Sequence, residues 1–312
     1  MHALADEATG SSAEMTYCLG MLLREGLIMM ADTRTNAGID NLSTYRKLRV
    51  LGQEGESLIA VASAGSLSTT QIAIERAIEG FIAPDTGIKE MLGGVQRIHR
   101  AAFLLGQAIR KTTQDWKDFT QEGIALDASL LVGGTVRGER TRLFMIYGAG
   151  NFIECGPETP FLQIGERKFG QPILDRALRY ETPLVDALKL GLLSFNTTMR
   201  SNDGVDLPID IMTARAGFPQ AEMTYRVTAG DPYYRQLDAA WSGALTAAIA
   251  AIPSPPYMDR AANEASKSVR RPKADEMAHF AFDREAAGPR AGVRRAAVVD
   301  SPDVPSARPG AS

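Results

Sequence analysis

Tyr17–Leu23 and Leu27–Ala31 are almost continuously apolar, and Arg24-Glu25-Gly26 between them has the polar, glycine-ended make-up of a turn. Strands that are apolar at successive positions are covered on both faces, so the pattern predicts a fully buried hairpin at the start of the folded chain. Lys47–Leu51 and Leu58–Ala64 predict a second pair around Gln53-Glu54-Gly55-Glu56. Helical spacing of apolar residues then predicts helices over Ser66–Phe81 and Met91–Trp116. Strands follow at Ala128–Gly133, Arg142–Tyr147 and Phe152–Cys155, and helices at Gly170–Arg179 and Pro183–Asn196. Leu207–Thr213 and Glu222–Val227 read as strands, and Asp231–Ala251 as a closing helix with an alanine-rich face. Antiparallel strands alternating with paired helices predict an α+β fold, two stacked sheets between two helical layers.

Composition shifts at both ends. Residues 1–15 are small, polar and slightly acidic, and read as a disordered or removed leader. From Pro253 onward, half of all 16 prolines occur in a stretch poor in large apolar residues. Such a segment cannot bury enough surface to offset its ordering entropy, so 253–312 reads as a disordered tail with a short helix near Ala274–Glu285. The domain expected to fold is 16–252.

Charge and rare residues exclude several classes of function. A net charge of −3 offers no basic footprint for nucleic acid or an anionic membrane surface. No apolar run approaches bilayer length, and the leader lacks the basic start and apolar middle of a secretory signal, which makes the cytoplasm the default. Cys18 and Cys155 cannot form a disulfide scaffold or a CxxC site, and Cys18 within an apolar strand reads as a small buried hydrophobe. The histidines are His2 in the leader, His99 on a helix and His279 in the tail. That scatter argues against a Ser-His-Asp or Cys-His site and against catalytic zinc. Gly148-Ala149-Gly150 has Ile153 where GxGxxG needs its third glycine, and no P-loop occurs, so no cofactor is implied and any ATP dependence would come from a separate unfoldase.

The chemistry left is that of hydroxyls, amines, carboxylates and backbone amides. Thr16 opens the first strand, Asp32 ends the second, and Lys47 begins the third. A hairpin brings the start of one strand beside the end of the next, so Thr16 and Asp32 are expected side by side. A threonine hydroxyl needs a base, and a free α-amine with a pKa near 8 is one that a terminal threonine carries itself. Lys47 would keep the local potential positive, and Asp32 would hold Lys47 in place. Gly65, between a strand and a helix N-terminus, is the candidate backbone donor for an oxyanion.

MTYCLGMLLREGLIMMADTRTNAG, STYRKLRVL and AVASAGSLSTTQ together resemble the N-terminal part of a proteasome β-type subunit. More closely the chain is similar to the bacterial ancestral-β-subunit group (Anbu), whose later signature SFNTTMRSNDGVDLPIDIM resembles. The resemblance covers about Thr16 to Ile252. It implies the N-terminal-nucleophile hydrolase fold, a four-layer αββα sandwich. It also implies a threonine-type peptidase acting on peptides or proteins as a homo-oligomeric ring or spiral, with Thr16 as nucleophile and Asp32 and Lys47 as its supporting pair. Arg34 matches the basic residue after the aspartate, Gly65 the oxyanion glycine, and Ser63 and Leu67 the lining of the pocket for the residue before the cut bond.

Three departures sharpen these expectations. Met15 replaces the glycine that usually precedes the catalytic threonine, so either Met15 is the true start or the leader is cut after it. Asn36 stands where proteasomes carry a substrate-binding threonine, and Arg200-Ser201-Asn202-Asp203-Gly204 replaces the Asp-x-x-Ser-Gly segment, leaving Ser201 or Asp203 to take over part of its role. If Thr16 kept its leader it would have no amine, and the chain would be a non-catalytic structural or binding subunit. The same fold could also serve as an amidase for small molecules.

Overall fold

A computed structural model describes residues 16–36, 42–117 and 126–258. The leader, Met15, and the expected tail helix at Ala274–Glu285 lie outside the described residues. The chain divides into two compact units after Ile249, and residues 250–258 are the described part of the second.

In chain order the first strands are β1 (Tyr17–Leu23), β2 (Gly26–Asp32), β3 (Arg34–Asn36), β4 (Leu42–Thr44), β5 (Leu48–Gln53) and β6 (Ser57–Gly65). Helix α1 (Leu67–Glu79), the short strands β7 (Phe81–Ile82) and β8 (Lys89–Glu90), and α2 (Ile98–Lys117) follow. Then come β9 (Ala128–Val136), β10 (Arg142–Ile146), β11 (Phe152–Glu154), β12 (Phe161–Gly165), α3 (Gln171–Ala177) and α4 (Leu184–Ser201). The order closes with β13 (Ile209–Arg215), β14 (Met223–Val227) and α5 (Pro232–Ala251).

Two five-stranded antiparallel sheets form, in the orders β12-β1-β2-β13-β14 and β11-β10-β9-β6-β5. Three apolar clusters locate the layers. One lies between α1 and α2 and the second sheet, with Ile74, Leu105 and Ile109 meeting Val61, Leu130 and Phe144. Another lies between the first sheet and α3, α4 and α5, with Tyr17, Leu19 and Met30 meeting Leu174, Phe195 and Tyr234. The third lies between the sheets, where Cys18, Met29 and Ala31 meet Leu48, Ala62 and Leu131. Odd and even positions of β1 and β2 thus enter different clusters, which is why both strands are apolar throughout.

Where the structure differs from the sequence reading, tertiary context decides. β12 falls between Cys155 and Gly170, where the sequence pattern predicts no element. Its five residues pair with β1 at the sheet edge, Tyr17 opposite Gly165, a contact across 148 positions that no local periodicity reveals. α2 begins at Ile98 rather than Met91, because Leu92–Gly94 forms a separate 3-10 turn and the helix starts after it. α4 continues past Asn196 to Ser201, burying Asn196 and Thr198 against its neighbours. Asn196 Nδ2 donates to Asp238 Oδ1 on α5 at 3.0 Å, and Thr198 Oγ1 donates to the Ser194 carbonyl at 2.9 Å, so both donors find acceptors within or beside the helix rather than ending it.

Candidate active site

The hairpin geometry does what its sequence demands. Thr16 lies just before β1 and is 7% exposed, beside the end of β2 where Asp32 is fully buried. Lys47 immediately precedes β5 in the opposite sheet and is 3% exposed. Its Nζ donates to Thr16 Oγ1 at 2.8 Å and to both Asp32 oxygens at 2.8 and 2.9 Å. One ammonium thus spends its three donors on the candidate nucleophile and a single carboxylate. Asp32 is fixed further by the Tyr17 N–H on Oδ1 at 2.9 Å and the Arg34 N–H on Oδ2 at 3.1 Å.

Burial pushes the Asp32 carboxyl up from 3.8 to about 6, while the Lys47 ammonium and the two backbone donors pull in the opposite direction and offset only part of it. Burial also drives the Cys18 thiol far above its ordinary range, and its Sγ donates to the Ser63 carbonyl at 3.4 Å. Cys18 is therefore an inert core group in spite of its place next to Thr16.

Gly65 ends β6 with φ +95, a conformation L residues rarely adopt. A Cβ there would meet the Asp127 carbonyl oxygen at 2.2 Å. The Ser66 N–H donates to that same carbonyl at 2.7 Å, which makes Gly65 opposite Ala128 a non-hydrogen-bonded pair. The Gly65 N–H is consequently turned away from β9, to the side on which the Ser63 N–H meets the Lys47 carbonyl at 3.2 Å. There β5 has not yet begun, so this amide is not taken up by the β5–β6 ladder. Ser66 caps α1, its Oγ accepting from the Thr69 N–H.

The remaining candidates take up varied positions. Ser63 is buried and also points its Oγ at the Lys47 carbonyl, 3.5 Å away. Leu67 is half-buried at the first turn of α1. Arg34 pairs with Asp206 at 3.0 Å, joining the start of β3 to the segment before β13. Asn36 ends β3 opposite Leu42, and its side chain lies outside the described residues. Ser201, the last residue of α4, and Asp203 are both exposed. The structure thus brings Thr16, Asp32 and Lys47 into direct contact and places Ser63 against the Lys47 carbonyl, with Gly65 two residues further along β6. No hydrogen bond among the described residues joins Ser201 or Asp203 to them.

Sequence reasoning missed Glu166 and Asn202. The Glu166 N–H donates to the Thr16 carbonyl at 2.7 Å, and its Oε2 accepts from Asn202 Nδ2 at 3.0 Å. Only the pairing of β12 with β1 could have disclosed this. Among the described residues no group of three or more His, Cys, Asp or Glu is placed to hold a metal ion, and no helix is long and apolar enough to cross a membrane.

No protein-family model matches the chain, and no curated protein matches it. Solved structures do. Anbu (ancestral β-subunit) from Yersinia bercovieri is 40% identical with a TM-score of 0.70, over 77% of this chain and 98% of that one. An Anbu Gly-1 mutant from Hyphomicrobium sp. strain MC1 is 39% identical with a TM-score of 0.69, over 77% and 99%. The helical assembly of the Anbu complex from Pseudomonas aeruginosa is 38% identical with a TM-score of 0.70, over 77% and 98%. Nearly the whole of each relative is matched at an identity far above what a shared fold alone requires, so this chain belongs to the Anbu family of proteasome-type ancestral β subunits.

Proposed function

We propose that this chain, once the Met15–Thr16 peptide bond is gone, is an N-terminal-threonine amide hydrolase acting on peptides or proteins within a homo-oligomer. The observation that carries the reading is the position of Lys47 Nζ, 2.8 Å from Thr16 Oγ1 and 2.8 Å from Asp32 Oδ1. Thr16 Oγ attacks the substrate carbonyl carbon as the α-amine takes the hydroxyl proton. Lys47 stabilises the developing alkoxide, and Asp32 holds Lys47 aimed at it. The carbonyl oxygen becomes an oxyanion, to which the Gly65 N–H donates. The tetrahedral adduct collapses, the α-ammonium returns its proton to the leaving amine, and a Thr16 ester remains. Water, deprotonated by the α-amine, attacks that ester and releases the acid, restoring the hydroxyl. Cytoplasmic location fits this role. Self-association follows the Pseudomonas aeruginosa relative, which forms a helical assembly.

The test is covalent. A peptide epoxyketone reacts with such a site through both of its groups: the hydroxyl adds to the ketone, and the amine opens the epoxide to close a morpholine ring with no leaving group. Intact-mass measurement should give a chain beginning at Thr16 that gains the full probe mass, and Thr16→Ala should gain none. A purified chain that retains its leader and is unlabelled would favour a non-catalytic subunit. Labelling together with turnover of small amides but not of a peptide library would favour an amidase.

A further inference from the structure

Glu166 is a buried carboxylate, 5% exposed, that the mechanism above does not use. A carboxylate taken out of water is unfavourable unless it is fully hydrogen-bonded, and nothing in the packing of β12 calls for one. Its backbone N–H reaches Thr16. Gly165, with φ +80, turns the chain out of β12, and the next N–H, that of Glu166, donates to the Thr16 carbonyl at 2.7 Å. The side chain is held from two directions. Oε1 accepts from the Lys168 N–H at 3.0 Å, and Oε2 accepts from Asn202 Nδ2 at 3.0 Å. Asn202 is itself fixed at the end of α4: its N–H donates to the Thr198 carbonyl at 2.9 Å, and its Oδ1 accepts from the Gly204 N–H at 2.8 Å.

These bonds matter because of what cutting does to Thr16. With Met15 gone, Thr16 is a chain terminus attached through one peptide link, and chain termini fray. Fraying would carry both the hydroxyl and the amine away from Lys47. On the main-chain side two bonds to the Thr16–Tyr17 peptide oppose it, the Glu166 N–H on the carbonyl and the Tyr17 N–H on Asp32. The Glu166–Asn202 bond sets where that N–H points, by fastening the exit of β12 to the end of α4.

We infer that Glu166, fastened by Asn202, is a positioning residue that clamps the freed terminus of Thr16 so that its amine and hydroxyl stay aligned beside Lys47. The inference rests on the proposed use of Thr16 as nucleophile.

Glu166→Gln is the direct perturbation, because a glutamine amide cannot accept from both Lys168 N–H and Asn202 Nδ2 and turns an NH2 towards an NH2. The double variant E166Q/N202D reverses donor and acceptor and restores the bond, and the new aspartate still accepts from Gly204 N–H. The first measurement is epoxyketone labelling of the chain cut after Met15. E166Q should lower the maximal labelling rate by about 10–100-fold, the scale of ångström-level misplacement of reacting groups, while the concentration for half-maximal rate changes little. E166Q/N202D should regain most of the rate. A purely structural residue would lower the melting temperature without this split between maximal rate and half-maximal concentration. The second measurement is amide hydrogen exchange at Glu166, which should quicken in E166Q and slow again in the double variant. E166Q labelling at the wild-type rate, or a double variant no better than the single one, overturns the clamp. If wild-type protein is not labelled at all, the Thr16 reading fails by itself. Exchange then decides the clamp, and Glu166 protection unchanged in E166Q overturns it.

Discussion

Replacing Lys47 by Met keeps an unbranched apolar stem in the same channel and deletes only the ammonium. What remains is the Asp32 carboxylate, whose side chain has no exposed surface and whose ion-pair partner sat 2.8 Å away. Breaking a buried pair by removing one partner costs about 3–5 kcal/mol, because the other charge stays behind. The size also depends on pH. In the wild type, burial moves Asp32 from 3.8 to about 6, so the folded chain holds this proton more tightly than the unfolded one. The stabilisation from that proton is complete below about 3.8 and is lost as pH rises through about 6, a total of roughly 3 kcal/mol. Without Lys47 the carboxyl rises further, towards the ~8 known for buried acids, so the loss continues above pH 6 and adds up to roughly 3 kcal/mol by pH 8. Urea unfolding at one fixed protein concentration should therefore show Lys47→Met more destabilised at pH 8 than at pH 5. The double change D32N/K47M should recover most of the difference at pH 8. A deficit equal at both pH values, or below about 1 kcal/mol at pH 8, would refute the reasoning that an unpaired buried carboxylate is what Lys47 prevents.

Three further outcomes follow from the same geometry. Hydrolysis or labelling should rise through about pH 6 as Asp32 ionises and secures Lys47, and Asp32→Asn should abolish that rise along with most of the activity, as a pH–rate profile would show. Gly65→Ala forces a Cβ to within 2.2 Å of a backbone carbonyl at φ +95, so it should lose at least about 1–3 kcal/mol in thermal or urea unfolding and lose labelling as the amide is displaced. Tyr17→Phe leaves Ser194 Oγ and Gln163 Nε2 without the buried phenol both contact, and should cost about 1–3 kcal/mol of stability by calorimetry.

How much of this was legible depended on sequence distance. Thr16, Asp32 and Lys47 were readable because a hairpin and one following strand bring them together, and both are encoded by local apolar runs bounded by polar turns. The uninterrupted apolar character of β1 and β2 announced a sheet covered on two faces, and the structure has core on each side. Gly65 was readable as a strand–helix junction, but its usefulness as a donor needed the register with β9, which turns its N–H away from that strand. Glu166 and Asn202 were not readable. Glu166 follows an edge strand of five residues in a stretch with no clean alternation, and Asn202 lies just past a helix end that the sequence placed at Asn196. Burial of Asn196 and Thr198 against α5 and α4 itself extends the helix, and that extension delivers Asn202 to Glu166. The motif points to Ser201 and Asp203, whereas the hydrogen bonds run through Asn202 between them.

The arrangement around Thr16 separates two requirements that the sequence presents as one. Lys47 binds the Thr16 hydroxyl, Glu166 binds the Thr16 carbonyl, and Asp32 binds the next residue's N–H. None of these bonds uses the Thr16 nitrogen. On the proposed mechanism, cutting the bond to Met15 leaves all three in place and adds only the base, a neutral amine close to a hydroxyl that is already aligned. The pair beneath the nucleophile is thus an electrostatic platform built by folding, whereas the base is supplied by a covalent event. It follows that Thr16→Ser should keep the platform and the amine and retain labelling, while a chain locked to its leader should fold with the same Lys47–Asp32 pair and remain inert. The two variants divide geometry from chemistry: equal stability with opposite labelling would assign the activity to the free amine, and labelling of the locked chain would show that some other base serves Thr16.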